Sequence, residues 1–499
     1  MQLRWYQRDQ AAVADALRSG QRVDMAATTA CGPLDELVAL HDELGVFAAL
    51  ERVPVARRRR GVNDALLLRT LAVLPFLETH SLSGAAGQLF GDPAILLHLG
   101  WSPVQIQMGD NERHGNAAGR QLGSLPCHPQ TLRDELRRVG ENAWLQVQRE
   151  GVKQLFEQQF LHGGVYAIDG TGLGDGLRLV CLVCVSQERP LMVAWRLLEG
   201  TASEKGKEAS VTRSLIEQAL ELGGKGCIEL LLVDALYADG PFLAWCHYEH
   251  DIEVLVPLPS DRELHHDLLQ QAEAGTLPLQ RYSYVRQIQG HKQRRTLDLG
   301  AQGGLTTWDS FVAAAHRYGD EHPSLWGCLV MPVDPVSDED RPWTLCSTRP
   351  WVSGVAAYES FRDRWHIEND TNRELKEAWD LEQQRWGRDL ATQRGRVTLT
   401  CLAFNTAQLY LTKAGRRLSG HGIRRLRNAA HSELGHSPVV IYWGRNYAIF
   451  PFGAIPGINR PTRPMHSPTA PRLHPRPITE CFILKALDFI SDFRAVEFA

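Results

Sequence analysis

Apolar and polar positions change their period along this chain. Over residues 1–160 the apolar residues recur at helical spacing, as in Leu34–Leu50 and Asn63–Glu78, and a basic run, Arg57-Arg58-Arg59-Arg60, joins those two segments. Ser81-Leu-Ser-Gly-Ala-Ala-Gly-Gln-Leu predicts a short helix with a serine cap. His128-Pro-Gln-Thr-Leu-Arg-Asp-Glu-Leu-Arg-Arg-Val predicts another, with Arg133, Arg137 and Arg138 on its polar side. Short helices with a basic one late in the order suit docking on DNA. A helical packing or dimerisation domain would give the same pattern.

At residue 164 the period shortens. Val165–Asp169, Arg178–Ser186 and Leu191–Leu197 read as three strands in succession; Glu208–Gly223 reads as a helix, Ile228–Asp234 as a strand, Gly240–His250 as a helix and Ile252–Leu258 as a strand. Three hairpin-linked strands followed by crossovers predict an α/β protein whose mixed sheet, with an antiparallel portion, is flanked by helices. The order β-β-β-α-β-α-β is that of the ribonuclease H-like fold, in which carboxylates on the first and fourth strands lie side by side at the sheet centre.

Residues 260–350 interrupt this core with strand-like stretches at Tyr282–Gln289, Thr296–Leu299, Trp326–Pro332 and Trp343–Ser347, and read as a β-rich insertion. The helical period returns at Ser353–Trp379, and a further helix is expected from Ala391 to Lys413. The expected organisation is a helical N-terminal domain over 1–160 that binds DNA ends and a catalytic domain begun by 161–259. The insertion at 260–350 follows, then completion of the catalytic domain by 351–415 and a basic C-terminal region over 416–499. Within that last region Ile455–Pro477 is rich in Pro and Arg and reads as an extended linker or arm.

Charge is unevenly distributed. The chain carries −4 overall, yet between Arg385 and Arg476 there are fifteen Lys/Arg and two Asp/Glu. Such a skew fits a polyanion-binding surface, or a basic face neutralised by the acidic remainder. Ten cysteines at irregular spacings suit free thiols in a reducing compartment. The N-terminus lacks a secretory apolar core, and no apolar run approaches the ~18 residues of a membrane helix. A cytoplasmic protein is expected.

Three acidic residues carry the candidate chemistry. Asp169 ends the strand Val-Tyr-Ala-Ile-Asp, Asp234 ends Glu-Leu-Leu-Leu-Val-Asp, and Glu368 lies in Phe-Arg-Asp-Arg-Trp-His-Ile-Glu-Asn-Asp. A carboxylate ending an apolar strand is costly unless hydrogen-bonded, paired or bound to a cation. Two such strands and an acidic helix suggest oxygen ligands around hard cations. Phe361, Arg364 and Glu368 share one helical face, so Arg364 could hold a phosphate beside the ions. An ordinary Arg364–Glu368 surface pair would look the same.

Other patterns fail on spacing. The glycines after Asp169 precede a strand, and suit a hairpin turn rather than a phosphate cradle. Gly200-Thr-Ala-Ser-Glu-Lys-Gly-Lys-Glu has one residue too many for a P-loop, and Glu208 stands where a magnesium-binding hydroxyl belongs. Cys181 and Cys184 point to opposite faces of a strand. His366-Ile-Glu368 lacks the downstream cysteines of a zinc deaminase.

With these residues, the chain resembles the DDE transposases of bacterial insertion sequences, in the branch with a Tyr-x₂-Arg-x₃-Glu-x₆-Lys signature. The matching residues are Asp169 in Ile-Asp-Gly-Thr, Asp234 in Leu-Val-Asp-Ala-Leu-Tyr, and Arg364-Trp-His-Ile-Glu368 with Leu375-Lys376-Glu377, over about residues 160–415. Phe361 occupies the signature tyrosine position, with Tyr358 one turn earlier. Lys376 lies eight residues after Glu368 instead of seven, a rotation of ~100° on an ideal helix unless the helix is bulged.

The resemblance implies two Mg²⁺ ions, replaceable by Mn²⁺, held by Asp169, Asp234 and Glu368. It implies phosphate contacts from Arg364 and Lys376, with Tyr358 and Phe361 beside the DNA. Its partners would be double-stranded DNA at terminal inverted repeats and target sites, and a second copy in a synaptic homodimer. The setting would be the bacterial nucleoid, with no membrane. Members with the β-insertion can pass through a hairpin and stack an aromatic on a flipped base, for which Trp308, Trp326 and Trp343 are candidates. A nuclease of the same fold without strand transfer and a non-cutting DNA-binding descendant are the alternatives. A carboxylate-pair glycosidase would leave the basic segment unexplained.

Overall fold

A computed structural model of the chain describes residues 7–28, 32–55, 62–77, 81–90, 93–102, 105, 126–199, 206–288, 291–333, 341–383, 386–413 and 438–451. The basic run at 57–60 and the Pro/Arg-rich stretch at 455–477 lie outside the described residues. The chain divides into two compact units, one formed by Met1–Trp144, Arg385–Ala403 and Leu418–Ala499, the other by Leu145–Gln384 and Phe404–Arg417. Among the described residues no helix is long and apolar enough to cross a membrane.

The first unit combines helices with a small sheet. Asp9 caps the helix Gln10–Arg18, its side chain accepting from the Ala12 amide at 2.9 Å. Strands β1 (Gln7–Arg8) and β2 (Met25–Thr28) pair with β13 (Asn446–Pro451) and β12 (Pro438–Trp443) in the order β1-β13-β12-β2. Val13, Ala14, Leu17 and Val23 close one core with Ile441, Ala448 and Phe450. Residues 13–23 and 441–450, far apart in sequence, therefore share a core that the helical period over 1–160 does not announce. A two-residue and a four-residue strand are too short to show a period.

The helix Pro129–Arg138 is present, capped by the His128 side chain. Its arginines are engaged within the same unit. Arg133 donates to the Trp386 carbonyl at 3.0 Å, Arg137 pairs with Asp389 at 3.0 Å, and Arg138 lies 3.7 Å from Glu135.

The second unit is a nine-stranded mixed sheet flanked by helices. Strands β3 (Gly164–Gly172), β4 (Leu177–Cys184) and β5 (Leu191–Glu199) form an antiparallel meander. The helix Gly206–Gly223 leads to β6 (Ile228–Leu232), parallel to β3, and Gly240–Ala244 with Trp245–Glu249 leads to β7 (Glu253–Leu258), parallel to β6. The element order matches the β-β-β-α-β-α-β expectation. In β4, Leu179–Cys184 are buried without alternation, as in a strand covered on both faces. The glycines after Asp169 form the expected hairpin turn: Gly174, Asp175 and Gly176 all have positive φ (79°, 46° and 74°).

The β-rich residues 260–350 continue the main sheet. Strands β8 (Leu279–Ile288), β9 (His291–Leu305), β10 (Leu325–Pro332) and β11 (Trp343–Ser347) extend the same sheet, giving β5-β4-β3-β6-β7-β11-β10-β9-β8. The stretch also holds two helices, Glu263–Glu273 and Asp309–Arg317. The open edge of β7 takes up β11 in antiparallel register, which buries an edge that would otherwise stay unpaired.

Candidate active site

The register between β3 and β6 decides where two of the acids meet. Ala167 pairs in parallel with Leu232, and two residues further along each chain stand Asp169 and Asp234. Both therefore stand at the same level, just past the end of the β3–β6 pairing; Asp234 follows the last residue of β6, whereas Asp169, expected to end its strand, lies within β3, which continues to Gly172 paired with β4. Asp169 is half-buried and Asp234 exposed. Asp234 caps the 3₁₀ turn Ala235–Tyr237, its Oδ1 accepting from the Ala235 amide at 2.6 Å.

Glu368 approaches from another element. The helix Gly354–Arg362, capped by Ser353, is followed by a π turn over Ile367–Asn372 that packs against β3. Burial pushes the Asp169 carboxyl up to about 6, with Arg364 pulling it down and Glu368 and Asp234 raising it. The three acids thus share one electrostatic neighbourhood. Among the described residues, however, no three His, Cys, Asp or Glu side chains are gathered closely enough to hold an ion. Glu368 is turned towards Arg364, whose Nη2 lies 2.6 Å from its Oε1. The donor chemistry, three carboxylates, fits hard oxygen-seeking cations.

Arg364 is itself buried, with its guanidinium 5.5 Å from the Phe361 ring. Its Nε and Nη1 have no hydrogen-bond partner among the described residues. Phe361 and Tyr358 are 6% and 4% exposed. Phe361 packs on Trp343 with ring centroids 5.8 Å apart, and the Tyr358 hydroxyl donates to that of Tyr284 at 3.2 Å. Both rings face an aromatic cluster on the sheet and not open surface. Trp308 and Trp326 are buried as well, and Trp343 is half-buried.

The π turn bears on the spacing of Lys376. A π turn inserts one residue into an α-helix. Eight residues containing one insertion advance the helix as seven ordinary residues do, so Lys376, in the helix Arg373–Glu377, returns to the angular sector of Glu368. Leu375, which stands at the seven-residue spacing, is fully buried.

Two residues in this neighbourhood were not signalled by the sequence. Asn372, at the end of the π turn, donates from Nδ2 to Asp169 Oδ2 at 2.9 Å. Glu208 is buried and ion-paired with Arg178. Arg178 in turn donates to the Gly170 carbonyl at 3.0 Å, and the Tyr237 hydroxyl lies 3.4 Å from Glu208 Oε2. A Cβ on Gly170 would come 2.5 Å from Glu208 Oε2, so glycine after Asp169 lets the Glu208 side chain approach this closely. A hydrophilic Asn in a helix and a Glu at a helix start are too common to stand out. Their partners are 203 and 30 residues away.

No family model and no curated protein matches this chain.

Proposed function

We propose that this chain is a transposase of the DDE type, whose nine-stranded sheet contains a ribonuclease H-like catalytic core and whose substrates are the ends of a mobile DNA element. The observation that carries the reading is the parallel register that sets Asp169 beside Asp234, with Glu368 entering from the helix that follows the sheet. Asp169, Asp234 and Glu368 would hold two Mg²⁺, or Mn²⁺ in its place, which when bound stabilise the attacking and leaving oxygens of an in-line displacement.

The side chains around these acids have roles in the same reaction. Arg364, ion-paired with Glu368 through Nη2, would contact a DNA phosphate, and Lys376 would supply a second cation from the same helical sector as Glu368. A water oxygen forms a new bond to phosphorus, the P–O3′ bond breaks, and the 3′-oxygen leaves as a hydroxyl. That hydroxyl then attacks a second phosphodiester, forming one P–O bond and breaking another without an external energy source. The basic residues between Arg385 and Arg476 would hold the terminal repeats, and bringing two ends together calls for at least two copies of the chain.

The test is incubation of the purified protein with a plasmid carrying the element and its flanking DNA, with and without Mg²⁺. Metal-dependent nicking at the element ends and joined products are expected, and Asp169→Asn and Glu368→Gln should abolish both. Cleavage that survives these substitutions would remove the site assignment. Hydrolysis without joined products would make the chain a nuclease.

A further inference from the structure

The inference concerns Asn372 and rests on the reading above. Asn372 is 5% exposed and stands four residues after Glu368 in the π turn. In either helical geometry that offset places the two side chains on neighbouring faces of the turn. Its Nδ2 meets Asp169 Oδ2 at 2.9 Å, while its Oδ1 accepts from the Cys181 thiol at 3.6 Å. Cys181 is the cross-strand partner of Asp169, Asp169 in β3 pairing with Cys181 in β4, so both side chains rise on one face of the sheet. Among the described residues the thiol also has the Asp169 carbonyl within reach, at 3.8 Å.

These contacts fix the amide orientation. The carboxylate can only accept, so it must face the NH₂ end, and the thiol then meets the carbonyl end. Reversing the amide would set oxygen against oxygen at Asp169. We propose that Asn372 is a positioning residue that holds Asp169 Oδ2, fixing the orientation in which the carboxylate meets a divalent cation, and that Cys181 locks the Asn372 amide in the orientation this requires. The π turn thereby serves both ends of the site, carrying Glu368 and the residue that orients Asp169. Partners that orient a ligating carboxylate typically alter metal affinity ~10–100-fold when removed.

The test measures Mn²⁺ binding to the full-length protein by calorimetry, and separately its metal-free affinity for element-end DNA. Asn372→Ala should weaken Mn²⁺ binding by about 10-fold or more and leave metal-free DNA affinity within about 2-fold. Cys181→Ala should weaken Mn²⁺ binding by a smaller factor, and Cys181→Ser, which restores a donor, should recover it. A purely structural role would not be rescued in this way, and the Cys181 pair decides the matter if Asn372→Ala does not fold. Unchanged Mn²⁺ affinity in Asn372→Ala, when Asp169→Asn has lost it, overturns the positioning role and leaves the site reading standing. Unchanged affinity in Asp169→Asn overturns both.

Discussion

Arg364 reaches Glu368 with one nitrogen, Nη2 to Oε1 at 2.6 Å, and keeps Nε and Nη1 without a hydrogen-bond partner among the described residues. A buried guanidinium with open donors is costly unless something anionic completes it. Here the neighbouring acid takes one donor, at the Nη2 end, and the other two nitrogens are enclosed by the protein.

Arg364→Lys should therefore be damaging although it keeps the charge. Lysine cannot bridge a carboxylate and a phosphate through a planar fork. Losing a charge-assisted hydrogen bond of ~1.5–3 kcal/mol predicts a fall in strand cleavage of roughly 10- to 100-fold. Single-turnover cleavage of a labelled element end measures it, and a variant with wild-type rate would remove Arg364 from the phosphate-binding role.

The phase of the helix after the π turn can be tested by stability alone. Leu375 is fully buried, whereas Lys376 is half-buried. Exchanging them, Leu375→Lys with Lys376→Leu, restores the seven-residue signature spacing in sequence but drives an ammonium into the core. The exchange should cost about 3 kcal/mol or more. Urea denaturation followed by tryptophan fluorescence would register this, and an undiminished midpoint would contradict the π-turn phase.

Glu374 predicts a pH dependence of stability. Burial pushes its carboxyl up from 4.5 to about 7, with Gln408 Nε2 3.4 Å from its Oε1 and Arg189 opposing the shift. Because the folded state disfavours the ionised form, the contribution of Glu374 to stability is fully present below pH about 4.5 and declines as pH rises towards about 7. Above that the deficit is constant. Glu374→Gln keeps the hydrogen-bonding shape and removes the titration, so it should stabilise the protein at pH 8 by on the order of 2–3 kcal/mol. Thermal midpoints of both proteins between pH 5 and 8 should diverge with rising pH; parallel curves would show that Glu374 does not titrate in this window.

Gly170→Ala tests the close approach behind Asp169. The added methyl meets Glu208 Oε2 at 2.5 Å and Arg178 Nε at 3.0 Å, which pair with each other, Glu208 buried and Arg178 half-buried. Overpacking of this kind costs ~1–3 kcal/mol. Because the residue adjoins Asp169, cleavage should fall together with the melting temperature. Full activity with an unchanged midpoint would mean that Glu208 and Arg178 move aside freely.

Much of the sheet was legible from local pattern. The apolar runs ending in Asp169 and Asp234, the glycines of the turn at 174–176 and the helix Gly206–Gly223 are set by short-range sterics and by the burial of neighbouring side chains. Such constraints act over a few residues, so they are readable without a structure. Asp169 and Asp234 could be named for the same reason, since a charge at the end of an apolar run is conspicuous wherever the run lies; Glu368 was named from its place on a helical face with Arg364.

What the tertiary structure decided are the relationships that span long stretches of chain. Strands at 25–28 and 438–443 pair because each covers the other's unpaired edge, and neither sequence specifies its partner. The strands of 260–350 join the main sheet because β7 offers β11 an open edge. Glu368 and Lys376 are eight residues apart, a spacing that an ideal α-helix would not bring back to one face. Packing against β3 on one side and the burial of Leu375 on the other accommodate it as a π turn. The sequence by itself determined which residues could do chemistry. Their register, and the Asn372 amide that holds Asp169, follow from long-range packing that no local period encodes.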